Sequence, residues 1–170
     1  MITAKNNKDK ETKMRENRSL ELGEIVYTEK PEKYCLLGIG TCLFIEIYDD
    51  KLKRFALAHT VLPTLKSKSG TKVHMSGRYT DEAIESMVEH LIKKGSNRRN
   101  LRVKIVGGGR IYNNKMHIGE RNIETAKKKL YEVGLKISRM DVGGDVGRSV
   151  LAVNQNGLLT LRKNGKVYSI

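Results

Sequence analysis

The chain has 170 residues, only two cysteines and a formal net charge of +14 at pH 7. This length favours one domain with a hydrophobic core that needs no disulfide or metal, and sparse cysteine is typical of a reducing compartment. Residues 1–20 are charged and every apolar run is short. The sequence therefore predicts a cytoplasmic protein with neither a signal peptide nor a membrane-inserted segment.

The excess of basic residues favours an acidic partner, which could be nucleic acid, anionic lipid or an acidic protein surface. Aromatic residues make up 5% of the chain and there is no Trp, which disfavours a surface that stacks on bases. The Lys and Arg residues are also spread along the whole chain. A nucleic-acid-binding module therefore ranks last among the functions considered, and no nucleic-acid partner is expected.

The predicted elements begin with a basic, disordered tail over residues 1–20, followed by one domain over residues 21–170. Alternating apolar residues predict strands, and apolar residues at helical spacing predict two main helices. In chain order the elements are strands at 23–27, 37–48 and 53–62, a helix at 80–94, a strand at 101–106, a helix at 119–133, and strands at 135–140, 149–153 and 158–162. The predicted class is a single-domain α/β sandwich with mostly antiparallel or mixed β-sheet.

Cys42 and His59 are the candidate catalytic residues. A turn centred between Asp50 and Lys51 would place them directly opposite each other in a hairpin, with Cβ atoms about 5 Å apart. Cysteine beside histidine can exist as thiolate and imidazolium, which makes the sulfur nucleophilic. Backbone N–H groups near Cys42 could stabilise an oxyanion. From spacing alone, an inert buried cysteine is the commoner explanation.

Other motifs are less specific. Gly38-Ile39-Gly40 lacks the third glycine and the following helix of a dinucleotide-binding fingerprint. His74, His90 and His117 do not have metal-ligand spacing. The prediction is that the protein uses neither a metal nor a cofactor, that His90 is structural, and that Cys35 is a packing residue.

Five stretches, in order over residues 23–162, resemble the CheD family of chemoreceptor glutamine deamidases. They are Gly38-Ile39-Gly40-Thr41-Cys42, Leu57-Ala58-His59-Thr60-Val61-Leu62-Pro63, Lys104-Ile105-Val106-Gly107-Gly108, Ile118-Gly119-Glu120-Arg121-Asn122, and Asp141-Val142-Gly143-Gly144 with Gly147-Arg148. Five such stretches in the family's order, with the cysteine-to-histidine spacing retained, make the resemblance specific.

The resemblance implies an α/β sandwich like the catalytic domain of deamidating toxins. It also implies hydrolysis of glutamine side chains on methyl-accepting chemotaxis receptors, with Cys42 as nucleophile and His59 as general base and acid. The phosphatase CheC, which binds some family members, is a second expected partner. The loop Arg110-Ile111-Tyr112 is the candidate contact surface, chosen by position.

One position departs from the family pattern. A threonine usually lies six residues before the cysteine as a third catalytic member, and here that position is Leu36. A backbone carbonyl, Thr41 or Thr60 could orient the imidazole instead, and Thr41 could also lie on the oxyanion side. The alternative function is a non-catalytic or weakly catalytic regulator that keeps the fold and binds receptor or CheC.

Overall fold

The computed structural model describes residues 18–30, 33–64, 77–111, 116–153 and 156–170. Within these residues, ten strands form two five-stranded sheets and two α-helices cover one of the sheets. The strands are β1 (Arg18–Ser19), β2 (Ile25–Thr28), β3 (Lys33–Ile39), β4 (Leu43–Asp49), β5 (Arg54–Thr60), β6 (Leu101–Gly107), β7 (Ile137–Val142), β8 (Arg148–Val153), β9 (Leu158–Lys163) and β10 (Lys166–Ser169). The helices are α1 (Thr80–Lys93) and α2 (Ile118–Glu132), with a 3₁₀ turn at Arg98–Asn100.

The two sheets are stacked. The outer sheet has the strand order β1-β3-β8-β9-β10, and the central sheet has the order β2-β5-β4-β6-β7. The β1–β3 and β6–β7 pairs are parallel, and the other pairs are antiparallel. Helices, central sheet and outer sheet form three layers, so the predicted α/β sandwich with mixed sheet and two main helices is confirmed.

Strand β4 is buried on both faces because it lies in the middle layer. Leu43, Ile45 and Ile47 point toward the helices, where they join one hydrophobic core. Phe44 and Tyr48 point toward the outer sheet and join a second core. The helices are amphipathic, and none in the described part of the chain is long and apolar enough to cross a membrane.

The chain changes sheets just before β4. Residues 37–48 were predicted to form one strand, but Ile39 ends a strand of the outer sheet and Leu43 begins a strand of the central sheet. That prediction is wrong because apolar residues on both sides of the crossing conceal it in the sequence. Cys42 consequently lies in the short connection between the two sheets.

The folded domain begins earlier than residue 21. Arg18 and Ser19 pair in parallel with Tyr34 and Cys35, and the Leu20 side chain is only 1% exposed. The predicted boundary is therefore wrong for residues 18–20, whose single apolar side chain is buried between the sheets. The predicted disorder of residues 1–17 lies outside the described residues.

Candidate active site

The β4–β5 turn sets the register of the strands that carry the site. Asp49 Oδ1 accepts hydrogen bonds from the N–H groups of Lys51 and Leu52, both at 2.9 Å, and Lys53 adopts a positive φ of 56°. These contacts stabilise a four-residue loop that pairs Asp49 with Arg54. The turn is therefore centred one residue later than predicted.

This turn shifts the partner of His59. His59 lies directly opposite Phe44, so the prediction that it lies directly opposite Cys42 is wrong. Cys42 nevertheless packs against the same inter-sheet core as Phe44. It lies two positions before Phe44, in the connection that leads into β4 and just beyond the last paired residues, Leu43 and Thr60. The side chain of Cys42 and the imidazole of His59, which shares a face with Phe44, therefore both lie on the inter-sheet side.

The imidazole of His59 is 7% exposed and is held by the N-terminal segment. Its Nδ1 lies 3.3 Å from the carbonyl oxygen of Leu20. A carbonyl can only accept, so this hydrogen bond places the proton on Nδ1 and leaves Nε2 with a free lone pair. The backbone of His59 is fixed as well, by the N–H of Gly23 at 2.8 Å and the carbonyl of Glu24 at 3.1 Å.

Burial lowers the pKa of His59, although the Leu20 carbonyl and the charge of Glu21 partly oppose this effect. Burial raises the pKa of the Cys42 thiol, although the Thr41 side chain and the N–H of Cys42 itself partly oppose that effect by hydrogen bonding. Both directions favour the neutral forms. These directions favour a thiol and a neutral imidazole at neutral pH, rather than the preformed ion pair considered from the sequence.

The three residues discussed for the third catalytic position have different surroundings. Leu36 is 4% exposed within the inter-sheet core. Thr60 faces the helices, where its hydroxyl shares a hydrogen bond of 2.9 Å with Thr80, so it cannot orient His59. Thr41 contacts the sulfur of Cys42 instead. The imidazole is oriented by the backbone carbonyl of Leu20, and the only sequence signal for that residue is an apolar side chain after a charged segment.

Glycine-rich segments from two parts of the chain meet at Cys42. The N–H of Gly108 donates to the Cys42 carbonyl at 2.8 Å, and the N–H of Gly109 donates to the Gly40 carbonyl at 2.8 Å. A Cβ on Gly107 would lie 2.2 Å from the Cys42 carbonyl oxygen, so no larger residue fits there. The glycines thus allow close backbone packing around the thiol.

A partly buried ion-pair cluster adjoins the loop 143–147. Arg148 is 2% exposed and donates to Asp141 Oδ1 through Nη2 at 2.7 Å and Nε at 3.1 Å. Lys163 Nζ lies 3.0 Å from the same oxygen, and the Tyr168 hydroxyl bonds the other. Partial burial raises the pKa of Asp141, but the hydrogen bonds from Tyr168, Arg148 and Lys163 lower it overall to about 2. The carboxylate therefore stays charged and joins the two sheets.

Cys35, His90 and His117 have contacts of their own. His90 stacks on Tyr27 with ring centroids 3.7 Å apart, and His117 Nδ1 lies 3.1 Å from Glu120. His74 lies outside the described residues. Cys35 is half-buried on β3, and both cysteines are free thiols. No cluster of three or more His, Cys, Asp or Glu side chains that could hold a metal occurs in the part of the chain that the structure describes.

Comparison with known proteins identifies the family. The family model for CheD chemotactic sensory transduction matches residues 61–163. The chain is 37% identical over 142 residues to the probable chemoreceptor glutamine deamidase CheD 1 of Methanosarcina acetivorans, covering 83% of this chain and 88% of that protein. This chain belongs to the CheD family. The CheD protein of Thermotoga maritima, named chemoreceptor glutamine deamidase, is 37% identical over 145 residues, covering 85% and 90% of the two chains.

The alignments with the CheD relatives cover both Cys42 and His59. The family-model match begins after Cys42 and His59. A span of 142 residues within 170, however, necessarily contains both of them. Among solved structures, the hypothetical protein YfiH of Bacillus licheniformis is 16% identical with a TM-score of 0.46, covering 71% of this chain and 49% of that one.

Proposed function

We propose that this CheD-family chain is a protein-glutamine deamidase that converts specific glutamine side chains of methyl-accepting chemotaxis receptors to glutamate. Cys42 is the proposed nucleophile and His59 the proposed general base and acid. The observation that carries the proposal is a thiol and an imidazole on one face, with the imidazole nitrogen Nδ1 held by the Leu20 carbonyl. The names of the CheD relatives support the reaction and the substrate.

The first step is attack of the Cys42 sulfur on the carboxamide carbon while His59 Nε2 takes the thiol proton. Because both groups are neutral at rest, the proton moves during the attack and not before it. The new C–S bond converts the amide carbonyl to an oxyanion. The N–H of Cys42 and the Thr41 side chain, which both lower the pKa of the Cys42 thiol, are the proposed donors to that oxyanion.

The second step breaks the C–N bond. Protonated His59 gives its proton to the leaving nitrogen, which departs as ammonia and leaves a thioester on Cys42. His59 then takes a proton from water, which attacks the thioester carbon. The C–S bond breaks, the proton returns to the sulfur, and glutamate is released. The proposed reaction needs no cofactor and no metal.

The decisive test is mass spectrometry of a purified receptor cytoplasmic fragment after incubation with enzyme. Wild type should release ammonia and give the mass increase that accompanies exchange of an amide NH2 for OH. Cys42→Ala should give neither, because no thioester can form. Cys35→Ala is the matched control and should remain active, since the Cys35 side chain alternates with the core residues Tyr34 and Leu36 and lies on the opposite face of the outer sheet. Undiminished ammonia release by Cys42→Ala would end the proposal.

A second candidate is a regulator that binds receptor or CheC without catalysis. It is favoured by Leu36, which is buried where the family pattern has a threonine hydroxyl. Receptor binding by wild type without any mass change in receptor peptides would favour this candidate over the deamidase.

CheC is the second proposed partner. Arg110 has a side chain 58% exposed and pairs with Asp145 at 3.3 Å. A Cβ on Gly40 would lie 2.9 Å from Ile111 Cγ1, so Ile111 is next to the loop that leads to Cys42. Tyr112, the third residue of the predicted contact loop, lies outside the described residues. Arg110→Glu should weaken CheC binding without changing the alkylation rate of Cys42.

A further inference from the structure

Asn122 of helix α2 is a buried polar residue to which the proposed mechanism assigns no role. It is 0% exposed. Its Nδ2 donates two hydrogen bonds, to the carbonyl of Thr41 at 2.9 Å and to the carbonyl of Val61 at 3.0 Å. Its Oδ1 is buried and has no hydrogen-bond partner among the described residues. The two N–H contacts are thus the polar interactions of this side chain.

The two carbonyls belong to the segments that carry the candidate pair. Thr41 directly precedes Cys42, and Val61 follows His59 by two residues. The β4–β5 ladder stops at the pair Leu43 and Thr60, just before these positions. A single carboxamide therefore joins the two segments where the backbone ladder no longer does, and it fixes the separation of Cys42 and His59 at the open end of the hairpin.

The same contact orients the peptide group between Thr41 and Cys42. In a planar trans peptide the carbonyl and the following N–H point in opposite directions. Because the Thr41 carbonyl points to Asn122, the N–H of Cys42 points away from it. This N–H donates to no backbone carbonyl in the described ranges, and it lies close enough to the Cys42 sulfur to lower the pKa of the thiol. It is therefore free to serve an oxyanion beside the sulfur.

We infer that Asn122 is a positioning residue that holds the Cys42 N–H and the Cys42–His59 separation in the geometry needed for attack on a carboxamide. The inference rests on the proposed deamidase function. It assigns Asn122 an effect on the transition state, and no contact with the substrate. Loss of its two hydrogen bonds should consequently lower kcat much more than it changes KM.

The experiment uses the full chain with two variants of different design. Asn122→Leu keeps an apolar side chain of similar size, and Asn122→Asp keeps the shape but has no N–H to donate when ionised. Either variant, assayed well below its unfolding temperature, should lose about 100-fold in kcat with KM nearly unchanged. The pH dependence of Cys42 alkylation by iodoacetamide should also differ from that of wild type, because the N–H beside the sulfur is reoriented.

Ser138→Ala is the matched control. Ser138 Oγ accepts from the Val103 N–H at 3.2 Å, so this variant also removes a side-chain-to-backbone hydrogen bond from the central sheet. It should lower the unfolding temperature without altering kcat or the alkylation profile. Asn122 variants that behave in the same way would overturn the positioning role and leave only a structural one.

The two readouts separate failure of this inference from failure of the proposed function. If wild type releases no ammonia, the deamidase proposal fails, but the alkylation profiles still decide whether Asn122 sets the environment of Cys42. If wild type is active and folded Asn122 variants keep both kcat and the wild-type profile, the inference fails while the deamidase proposal stands. If one variant does not fold, the other decides the result.

Discussion

The two faces of the central sheet contain different residues, although the same strands form both. The face toward the helices is formed mainly by aliphatic side chains such as Ile45 and Val103, and the hydroxyl of Thr60 on this face is satisfied by Thr80. The face toward the outer sheet contains Cys42, His59 and further ionisable groups, which are Glu46, Lys104 and Asp141. Both faces are largely buried.

The contrast shows that the buried ionisable residues of this fold lie between the two sheets. A helix docks through a continuous apolar stripe, so the helix face tolerates few polar groups. The second sheet contributes its own charged side chains and carbonyls, including Arg148 and the carbonyl of Gly157, which bonds Lys104. Ionisable groups can therefore be buried between the sheets with partners. We expect substitutions on the helix face to change mainly stability, and substitutions on the outer-sheet face to change mainly activity.

The largest effect should come from His59→Gln, on the outer-sheet face. Glutamine has a similar size and can donate to the Leu20 carbonyl, but it cannot take a proton from Cys42. Loss of a general base should reduce ammonia release by about 100-fold or more, while the unfolding temperature changes little. Ammonia release is measured with the receptor fragment, and unfolding by circular dichroism. Activity within a few-fold of wild type would contradict the assignment of His59.

Ile45→Ala, on the helix face, should lower stability and leave activity nearly unchanged. Ile45 is 0% exposed in the core between β4 and the helices. Truncating such a side chain costs about 2–5 kcal/mol through lost apolar burial and the cavity that remains. Urea unfolding should show this loss, while ammonia release per folded molecule stays within a few-fold of wild type. A large loss of kcat in fully folded protein would show that the two faces are not separable.

Glu46→Gln should change the pH dependence of stability. Burial raises the pKa of Glu46 to about 7, although Lys104 Nζ at 3.4 Å partly opposes this. The folded pKa exceeds the ordinary value of 4.5, so the stabilising contribution is complete below pH 4.5 and is lost as pH rises through about 7.

Urea unfolding at pH 5 and pH 8 tests this sign. Wild type should lose more stability than Glu46→Gln over that interval, by about 1–3 kcal/mol. Glu89→Gln is the matched control, because Glu89 lies on the exposed side of α1 and should leave the wild-type pH dependence unchanged. Equal pH dependence of wild type and Glu46→Gln would show that Glu46 keeps an ordinary acidity.

The smallest effects are expected from Thr41→Val and Thr60→Val, which should change the alkylation of Cys42 and the stability, respectively. Thr41→Val removes a hydrogen bond to the Cys42 sulfur, so it should raise the thiol pKa further and slow iodoacetamide alkylation at pH 7 a few-fold. Thr60→Val removes the contact with Thr80 and should lower stability by about 1 kcal/mol without changing alkylation. Peptide mass spectrometry distinguishes Cys42 from Cys35. Identical alkylation of Thr41→Val and wild type would remove Thr41 from the site.

The elements that sequence reasoning predicted well are those whose signal is local. Helix α1 begins at Thr80, as predicted, and α2 covers 118–132 where 119–133 was expected. Helical periodicity and a following glycine determine such bounds within a single segment. The fold class follows from the same local patterns, because two amphipathic helices among many short strands need a sheet to cover.

The details of the site depend on contacts that the sequence pattern does not encode. The β4–β5 register depends on a carboxylate of Asp49 that captures two N–H groups, and this turn has no Asn-Gly signal. Asn122 was recognised only as part of a resemblance, since nothing in its own segment shows that it reaches Thr41 and Val61. Cys42 and His59 are candidates by residue type, spacing and the family resemblance; the direct opposition that the spacing predicted is wrong, and their catalytic role stays a prediction.

The hydrogen bond from His59 to the Leu20 carbonyl has a consequence for which substitutions this chain tolerates at position 20. Every amino acid has a main-chain carbonyl, so an exchange at position 20 leaves the acceptor in place whenever the new side chain still fits between the sheets. Point substitutions at position 20 would therefore not reveal the contribution of the Leu20 carbonyl. Shortening the N-terminus past Leu20 removes the acceptor itself, so this contact depends on the route of the chain and not on the identity of the residue.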